Sequence, residues 1–282
     1  MRIGCRFSLI NNVFIAGLTA ALFLFAQLES IPIVSVTFEG NRSISTSQLK
    51  SRLLRSQQGN WYSPDSLNID LQVLQKLYQD NGYLRAELGP PIVEFQTIGG
   101  KKGAVIRIPV SEGSLYTVGE VSVENVQAFR PESLLQMCPL RKEEPYSRLK
   151  AAQWQAKIEE GYRSIGYIRF KSSVHEDIHE SSRVVDCILE CVEGKEYRIG
   201  KITLAGGEES ISSLDFRRQL LFSEGGVFSP EMVSLSIHYI NQMSLYQPIT
   251  NSDVKVTIDD AKGLVNFVFH LVPLKKPVTK RE

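Results

Sequence analysis

The sequence has no excess of charge of either sign. Its 32 Lys and Arg residues are balanced by 31 Asp and Glu residues, which gives a formal net charge of +1. Proteins that bind nucleic acid through its phosphates carry a basic surplus, so this balance gives no electrostatic support for a nucleic-acid partner. One short basic run, residues 275–281, stands at the C-terminal end, and we interpret it as a solvated tail.

The sequence also lacks the common signatures of catalysis and cofactor binding. It contains no Gly-x-Ser-x-Gly motif, no phosphate-binding loop and no paired Cys-x-x-Cys motifs for zinc. Apolar residues make up 43% of the chain, which is ordinary for a globular protein and higher than in a disordered one. We therefore predict a folded binding protein that is not an enzyme and needs no cofactor.

One sequence pattern, in contrast, is typical of an enzyme. His175, Glu176 and His179 match H-E-x-x-H, in which two histidines bind zinc and the glutamate acts as general base. This chemistry requires a helix, because only there do both imidazoles face one metal ion. The segment falls at a predicted turn between two alternating strands, so we predict a solvated turn without catalytic or metal-binding residues. A zinc peptidase is kept as a remote alternative.

Cysteine is scarce, with four in the chain, one of them in the N-terminal segment. Cys187 and Cys191 lie on one face of a predicted strand, about 13 Å apart, which is too far for a disulfide bond. Cys138, on a predicted helix above that face, can reach one of them. A disulfide with one free thiol and three buried free thiols both remain open, and we favour the buried thiols.

The sequence has one long apolar stretch, residues 13–26, which follows Arg2 and Arg6. It is short for a membrane span, which needs roughly 20 apolar residues. A basic start followed by such a stretch is typical of a secretory signal peptide. We expect residues 1–30 to be a signal peptide, with an uncleaved inner-membrane anchor as the alternative. Either interpretation predicts that the rest of the chain is exported.

The most informative feature is an internal repeat of about 80 residues. Three ordered marks recur along the chain: SEGSLYTVGEV (111–121) with VEGKEYRIGKI (192–202), DNGYLRAEL (80–88) with SIGYIRFKS (164–172), and an aromatic residue followed by serine at Tyr62, Tyr146 and Phe228. A period of this length indicates tandem modules that are each just large enough to fold.

Each copy predicts the same order of elements, β-α-α-β-β. An alternating strand is followed by a short helix, a second helix begins at the aromatic-serine mark, and two alternating strands close the copy. We predict an α+β fold of three tandem modules, each a three-stranded mixed sheet with two helices packed on one face. The predicted modules are residues 31–115, 116–196 and 197–273, followed by the basic tail 274–282.

The marks that define the modules are glycines at turns and helix ends, tyrosines after them, and Glu-Gly pairs at the ends of the closing strands. They are Gly40, Gly82, Tyr83, Glu112, Gly113, Gly166, Tyr167, Glu193 and Gly194. The third copy lacks both the Gly-Tyr and the Glu-Gly.

In these marks the chain resembles the POTRA modules of outer-membrane assembly proteins of the BamA and TamA type. The stretches that carry the resemblance are VTFEGN (36–41), YQDNGY (78–83), EEGYRSIGY (159–167) and the Glu-Gly strand ends. The resemblance implies a periplasmic scaffold associated with the outer membrane, which binds extended polypeptide by strand addition or docks partner subunits. Outer-membrane protein substrates and assembly subunits are the partners that it implies.

The chain departs from the family pattern at its C-terminal end. Such proteins continue into a barrel of many alternating strands, and no such strands follow residue 273. A separately encoded barrel, a truncated gene and an adaptor without a barrel remain open. Insertion of substrates into the membrane is therefore not among our expectations.

The resemblance places the binding edge on the first strand of the closing hairpin, which is residues 87–97, 168–175 or 253–258. Pro90 and Pro91 blunt the first of these, because proline cannot donate a hydrogen bond to an added strand. We therefore predict a polypeptide-binding edge in the second or third copy. Its residues are Ile168, Phe170, Ser172, Val174, Val254, Val256 and Ile258.

Overall fold

The computed structural model describes residues 31–205, 213–243, 246–272 and 274. The predicted signal peptide or anchor, residues 1–30, and most of the basic tail lie outside these ranges. In the part that is described, no helix combines the length and the apolar character that crossing a membrane requires. The chain forms two compact units, Met1–Tyr78 with Arg85–Gly113, and Gln79–Leu84 with Ser114–Glu282.

The first unit contains one β-α-α-β-β module. Its elements are β1 (Ile33–Glu39), α1 (Thr46–Arg52), α2 (Pro64–Asp80), β2 (Glu87–Leu88), β3 (Ile92–Ile98) and β4 (Lys101–Ser111). β4 is central, parallel to β1 and antiparallel to β2 and β3. β2 and β3 are two pieces of one edge strand, interrupted at Pro90 and Pro91 as the prolines predict.

Local sequence signals explain where the helices begin. Ser45 and Gln48 form a capping box before α1, in which Ser45 Oγ accepts from Gln48 N–H at 3.3 Å and Gln48 Oε1 accepts from Ser45 N–H at 3.1 Å. Ser63 Oγ accepts a long 3.4 Å bond from Ser66 N–H at the start of α2. The apolar faces of both helices then meet alternate residues of β4, and the buried set is Leu49, Leu67, Leu74, Tyr78, Ala104, Ile106, Ile108 and Val110.

The second unit contains two further modules of the same order. The elements are β5 (Thr117–Glu124), α3 (Pro131–Gln136), α4 (Arg148–Ser164), β6 (Lys171–His179) and β7 (Val184–Val192), then β8 (Arg198–Ala205), α5 (Ser213–Arg218), α6 (Pro230–Gln242), β9 (Val254–Asp259) and β10 (Leu264–His270). The strand orders are β5-β7-β6 and β8-β10-β9, each with one parallel and one antiparallel pair. The predicted class, α+β with repeated three-stranded mixed sheets, is confirmed.

Two strand boundaries differ from the sequence-based prediction. The chain makes a turn after Gly166, in which Phe170 N–H donates to Tyr167 O at 3.0 Å, so β6 begins at Lys171 and not at Ile168. β6 also continues to His179, because Ile178 is half-buried, packs against the core and extends the inward alternation of Val174. The H-E-x-x-H segment therefore lies in a strand, and its placement in a turn was wrong.

The three cysteines occupy apolar core positions. Cys138, Cys187 and Cys191 are buried in the second module, and all three thiols are free. Burial raises the pKa of Cys187 and of Cys191 to about 11. Of the two alternatives left open by the sequence, the structure therefore has three buried free thiols.

Candidate binding site at the sheet edges

β6 and β9 each have one paired side and one open side. β6 pairs with β7 from Lys171 to His179, and β9 pairs with β10 from Val254 to Asp259. Each is the last strand in the order of its sheet. The backbone groups on the open side of an edge strand are a template for an additional strand.

Five of the seven residues predicted for the binding edge lie on these strands. Ser172 and Val174 are in β6, and Val254, Val256 and Ile258 are in β9. Ile168 and Phe170 precede β6. Phe170 is buried in the core of the second module and stacks on Tyr162 with ring centroids 3.9 Å apart, and Ile168 is half-buried against the core of the third module.

The beginning of β6 is already engaged within its own module. Ser172 O accepts a 2.7 Å hydrogen bond from Gln155 Nε2 of α4, and Ser172 Oγ donates to Glu159 Oε1 at 3.1 Å. Val174 is half-buried against the core. An added strand would therefore find one backbone acceptor of this edge occupied and little free apolar surface beside it.

β9 offers exposed apolar side chains along its edge. Val254 is 8% exposed, whereas Val256 and Ile258 on the same face are 49% and 39% exposed. The helix α6 of the same module also has a stripe of exposed apolar residues at helical spacing, namely Met232, Leu235 and Tyr239. Exposed apolar surface of this kind is typical of an interaction site.

The H-E-x-x-H residues do not form a metal site. His175 Nε2 lies 2.8 Å from Glu190 Oε2, and His179 Nε2 lies 2.9 Å from Asp186 Oδ2, on the exposed face of the sheet. A hydrogen bond to Asp186 raises the pKa of His179. Glu176 alternates to the other face, because in a strand neighbouring side chains point to opposite sides.

Glu176 has structural partners on that inner face. Its Oε1 accepts from Tyr146 Oη at 3.0 Å and from Arg148 Nε at 2.8 Å. Glu176, the general base of the H-E-x-x-H motif, and the two histidines therefore lie on opposite faces of the sheet. Among the described residues, no group of three or more His, Cys, Asp and Glu side chains is placed to hold a metal ion.

The Glu-Gly marks have a clear structural role. Glu112 Oε1 accepts from the N–H groups of Arg42 at 2.8 Å and Ser43 at 2.9 Å, and from Tyr78 Oη at 3.1 Å. Burial alone would raise the pKa of Glu112, but the hydrogen bonds from Ser43, Arg42 and Ile44 outweigh it, so that the pKa is lowered. The carboxylate therefore fastens the loop after β1 to the end of the module.

The second module repeats this arrangement. Glu193 Oε1 accepts from the N–H groups of Gln127 at 2.7 Å and Ala128 at 3.0 Å, and from Tyr162 Oη at 2.6 Å. The glycine marks all have positive φ, with values of 97° for Gly40, 88° for Gly82, 70° for Gly113, 90° for Gly166 and 72° for Gly194. Tyr83 and Tyr167 follow two of them at half-buried positions.

Sequence reasoning missed one position that repeats in structure but not in residue type. Asp70 is buried in α2 and accepts the N–H groups of Leu54 at 2.8 Å and Ser56 at 2.6 Å. At the equivalent position of the second helix, the second module has Trp154, whose Nε1 donates to Leu134 O at 3.0 Å. The third module has Ser236, whose Oγ accepts from Leu221 N–H at 2.8 Å. A signal was present, since Asp70 stands on the apolar face of an amphipathic helix.

Comparison with known proteins agrees with this architecture. Residues 31–113, 116–190 and 197–273 match the family described as POTRA, surface antigen variable number repeat, and the chain belongs to this family. Outer membrane protein assembly factor BamA of Neisseria meningitidis is 24% identical over 250 residues, which are 82% of this chain and 31% of that protein. BamA of Buchnera aphidicola is 26% identical over 242 residues, which are 83% of this chain and 38% of that protein.

A solved structure shows the same fold. The crystal structure of Haemophilus influenzae BamA POTRA3-5 has a TM-score of 0.58 and 18% identity, and the match covers 86% of this chain and 96% of that one. The chain spans about a third of the length of the BamA proteins it matches.

Proposed function

We propose that this protein is a periplasmic scaffold of outer-membrane protein assembly, associated with the outer membrane, which binds extended polypeptide by strand addition at β9. Membership of the POTRA family supports the scaffold role, and the relatives are named outer membrane protein assembly factors. The observation that carries the choice of site is the open edge of β9 with Val256 and Ile258 exposed beside it.

The physical basis of strand addition suits a scaffold with many clients. Backbone hydrogen bonds along an edge strand give affinity for any extended chain, and every second side chain of the added strand then lies over one face of the sheet. At β9 that face presents Val256 and Ile258, so apolar-polar alternation in the client is favoured. Such alternation is the pattern of strands that form membrane barrels.

The other edges support this role less well. Ser172 O of β6 is already bonded to a side chain, and the edge of the first module is interrupted before β3. β6 is thus the second choice. The proposed partners are outer-membrane protein substrates, assembly subunits and a separately encoded barrel, and the proposed role requires neither a cofactor nor nucleic acid.

Binding of an extended peptide to the purified full chain tests the site. The probe is a fluorescein-labelled peptide of 12 residues in which valine or phenylalanine alternates with serine or threonine, followed by anisotropy. Val256→Lys with Ile258→Lys should weaken binding at least tenfold, because two charges would stand on the contact face. Val192→Lys is the matched control, since Val192 is 62% exposed on the central strand β7.

The outcomes separate the site from the role. Unchanged affinity in the double variant would rule out β9, and failure of the wild-type chain to bind any such peptide would rule out strand addition. In cells, the double variant should lower the amount of folded outer-membrane barrel proteins while Val192→Lys does not. The inner-membrane anchor alternative is tested separately by the mass of the mature N-terminus.

A further inference from the structure

The three modules begin with the same backbone arrangement, which we call the module entrance. Isolated bridges join Pro32 to Trp61, Thr117 to Pro145 and Arg198 to Val227. In each module the N–H of the next residue, Tyr62, Tyr146 or Phe228, donates to the oxygen of Ile31, Tyr116 or Tyr197 at 2.8, 3.0 and 2.9 Å. Trp61, Pro145 and Val227 are therefore structurally equivalent.

Within the second unit, two of these entrances are occupied by a Gly-Tyr loop at the end of a helix. Tyr116 N–H donates to Gly82 O at 2.8 Å, and Tyr197 N–H donates to Gly166 O at 2.9 Å. A Cβ on Gly82 would lie 2.8 Å from Tyr116 O and 3.3 Å from Pro145 Cβ. The loop thus rests directly on the entrance, and the residue equivalent to Trp61 is part of the contact.

The second of these contacts has the same geometry and an added polar clamp. A Cβ on Gly166 would lie 2.8 Å from Tyr197 O and 3.0 Å from Val227 Cγ1. Arg169, three residues after Gly166, donates to Asp260 at 3.1 and 3.0 Å, and Tyr197 Oη donates to the same carboxylate. In the second module, Tyr116 Oη donates in the same way to Glu180.

The entrance of the first module is built from larger apolar residues. Trp61 is 63% exposed, and Phe95 and Ile98 are 54% and 51% exposed. Tyr62 holds Phe95 in an edge-to-face contact with centroids 5.7 Å apart. Among the described residues, Ile31 N–H has no hydrogen-bond acceptor, whereas the equivalent groups of the other modules donate to a Gly-Tyr loop.

The closing hairpin of the first module is also longer at this end. Gln96 pairs with Gly103, as His179 pairs with Val184 and Asp259 with Leu264, and the second and third modules turn at that point. The first module continues to the pair Ile98–Lys101. Thr97 stands where Glu180 and Asp260 stand, so this entrance has a neutral residue in place of the acidic clamp, followed by the apolar side chain of Ile98.

We propose that the entrance of the first module, formed by Ile31, Trp61, Phe95 and Ile98, is a docking surface for the Gly-Tyr helix-end loop of a POTRA-type module on another polypeptide. The two equivalent surfaces of the chain show what covers such an entrance. A second copy of this chain does not supply the loop, because both of its Gly-Tyr loops occupy its own entrances and its third module has none. This site is independent of strand addition at β9.

A peptide taken from the chain provides a defined probe. The probe is the fluorescein-labelled peptide of residues 159–170, EEGYRSIGYIRF, added to the purified full chain. We expect saturable binding of one peptide per chain. The same peptide with Gly166→Val should bind at least tenfold more weakly, because its side chain would meet the entrance backbone. Equal binding of the two peptides would overturn the proposal.

Variants of the full chain test whether the peptide binds at the entrance of the first module. Trp61→Ala should weaken binding at least tenfold, and Leu54→Ala should change it less than twofold, since Leu54 is equally exposed at 64% but outside the entrance. Tryptophan emission gives a second readout: Trp154 is buried, so a blue shift on binding reports Trp61. If Trp61→Ala leaves affinity unchanged, the peptide is exchanging with an internal loop and the proposal fails.

Photo-crosslinking in cells identifies the occupant. Benzoylphenylalanine at position 61 should give an adduct with another protein that maps to a Gly-Tyr loop of a POTRA-type module, whereas the same group at position 54 should not. Adducts that map to residues 1–30 of the same chain, to a second copy, or to unfolded clients would each overturn the proposal. Val256→Lys with Ile258→Lys should leave the adduct unchanged, which distinguishes this site from the proposed function.

Discussion

Tyr162 Oη donates a 2.6 Å hydrogen bond to Glu193 Oε1, and Tyr78 Oη donates to Glu112 Oε1 at 3.1 Å in the preceding module. In each case the carboxylate at the end of the last strand also accepts the backbone N–H groups of the loop after the first strand. One side chain thus joins the beginning, the second helix and the end of a module.

Glu193→Gln should therefore destabilise the second unit. A hydrogen bond to a charged acceptor contributes about 1.5–3 kcal/mol, and the amide replaces it with a weaker acceptor and an unwanted donor. We expect a loss of about 1–2 kcal/mol in the free energy of unfolding, measured by urea denaturation with an unchanged m-value. Glu190→Gln is the control, because Glu190 forms an exposed ion pair with His175 and its substitution should cost less than about 0.5 kcal/mol.

The same carboxylate should make stability depend on acidity. Burial alone would raise the pKa of Glu193, but hydrogen bonds from Tyr162, Gln127 and Ala128 outweigh it and lower the pKa. A lowered pKa in the folded state stabilises at pH values above the ordinary 4.5 and loses this contribution as the pH falls through the lowered value. Wild type should lose stability below pH 4.5 more steeply than Glu193→Gln, and parallel curves would contradict the assignment.

The loop contact between the second and third modules can be tested at Gly166. Gly166→Ala combines a positive φ of 90° with a Cβ placed 2.8 Å from Tyr197 O, whereas Gly225→Ala has a φ of 84° and open space around it. Both variants incur the backbone strain of about 1 kcal/mol. Gly166→Ala should lose at least a further 1 kcal/mol or so from the collision. If the two variants lost the same free energy of unfolding in urea, the loop at Gly166 would not need to approach Tyr197 O so closely.

The buried thiols should resist modification in the folded protein. Cys187 and Cys191 have a pKa of about 11 because of burial, and thiolate is the reactive form. Pulsed alkylation at neutral pH, with the peptides of Cys138, Cys187 and Cys191 identified by mass, should label all three only after unfolding. Rapid labelling of any of them in the native protein, or a disulfide-linked peptide pair, would contradict the structure.

Local chemistry made the helix starts and the module order predictable. The capping pair Ser45 and Gln48, and Pro131 at the first position of α3, act within one turn of helix, so the sequence alone reveals them. The start of β6 was not predictable in this way, because the turn after Tyr167 exists to bring Phe170 onto Tyr162 of the helix. That contact is tertiary, and alternation of side chains does not encode it.

The equivalence of the three module entrances could not be predicted from the sequence either, because it depends on backbone contacts and not on residue types. Trp61, Pro145 and Val227 are three different apolar residues, and the backbone bridges show that they are equivalent. The same holds for Asp70, Trp154 and Ser236, which bind the backbone at the end of the first helix or just after it with three different side chains. A repeat search compares residue types, so positions that conserve a contact through different residues escape it.

Asp70 provides the sharpest test of this shared contact. Asp70→Ala removes the acceptor for the N–H groups of Leu54, Arg55 and Ser56. A buried donor left without a partner costs about 1–3 kcal/mol, so the first unit should lose at least that much stability in urea. Gln72→Ala is the control in the same helix, because Gln72 is exposed and alanine favours helices, so its effect should be within about 0.5 kcal/mol.

The third module allows the reciprocal comparison. Ser236 is also buried, and its hydroxyl accepts Leu221 N–H at 2.8 Å while donating to Met232 O at 2.7 Å. Ser236→Ala leaves one donor unpaired where Asp70→Ala leaves several, so its cost should be the smaller, about 1 kcal/mol. If Ser236→Ala were as costly as Asp70→Ala, the number of fastened N–H groups would not determine the stability of this segment.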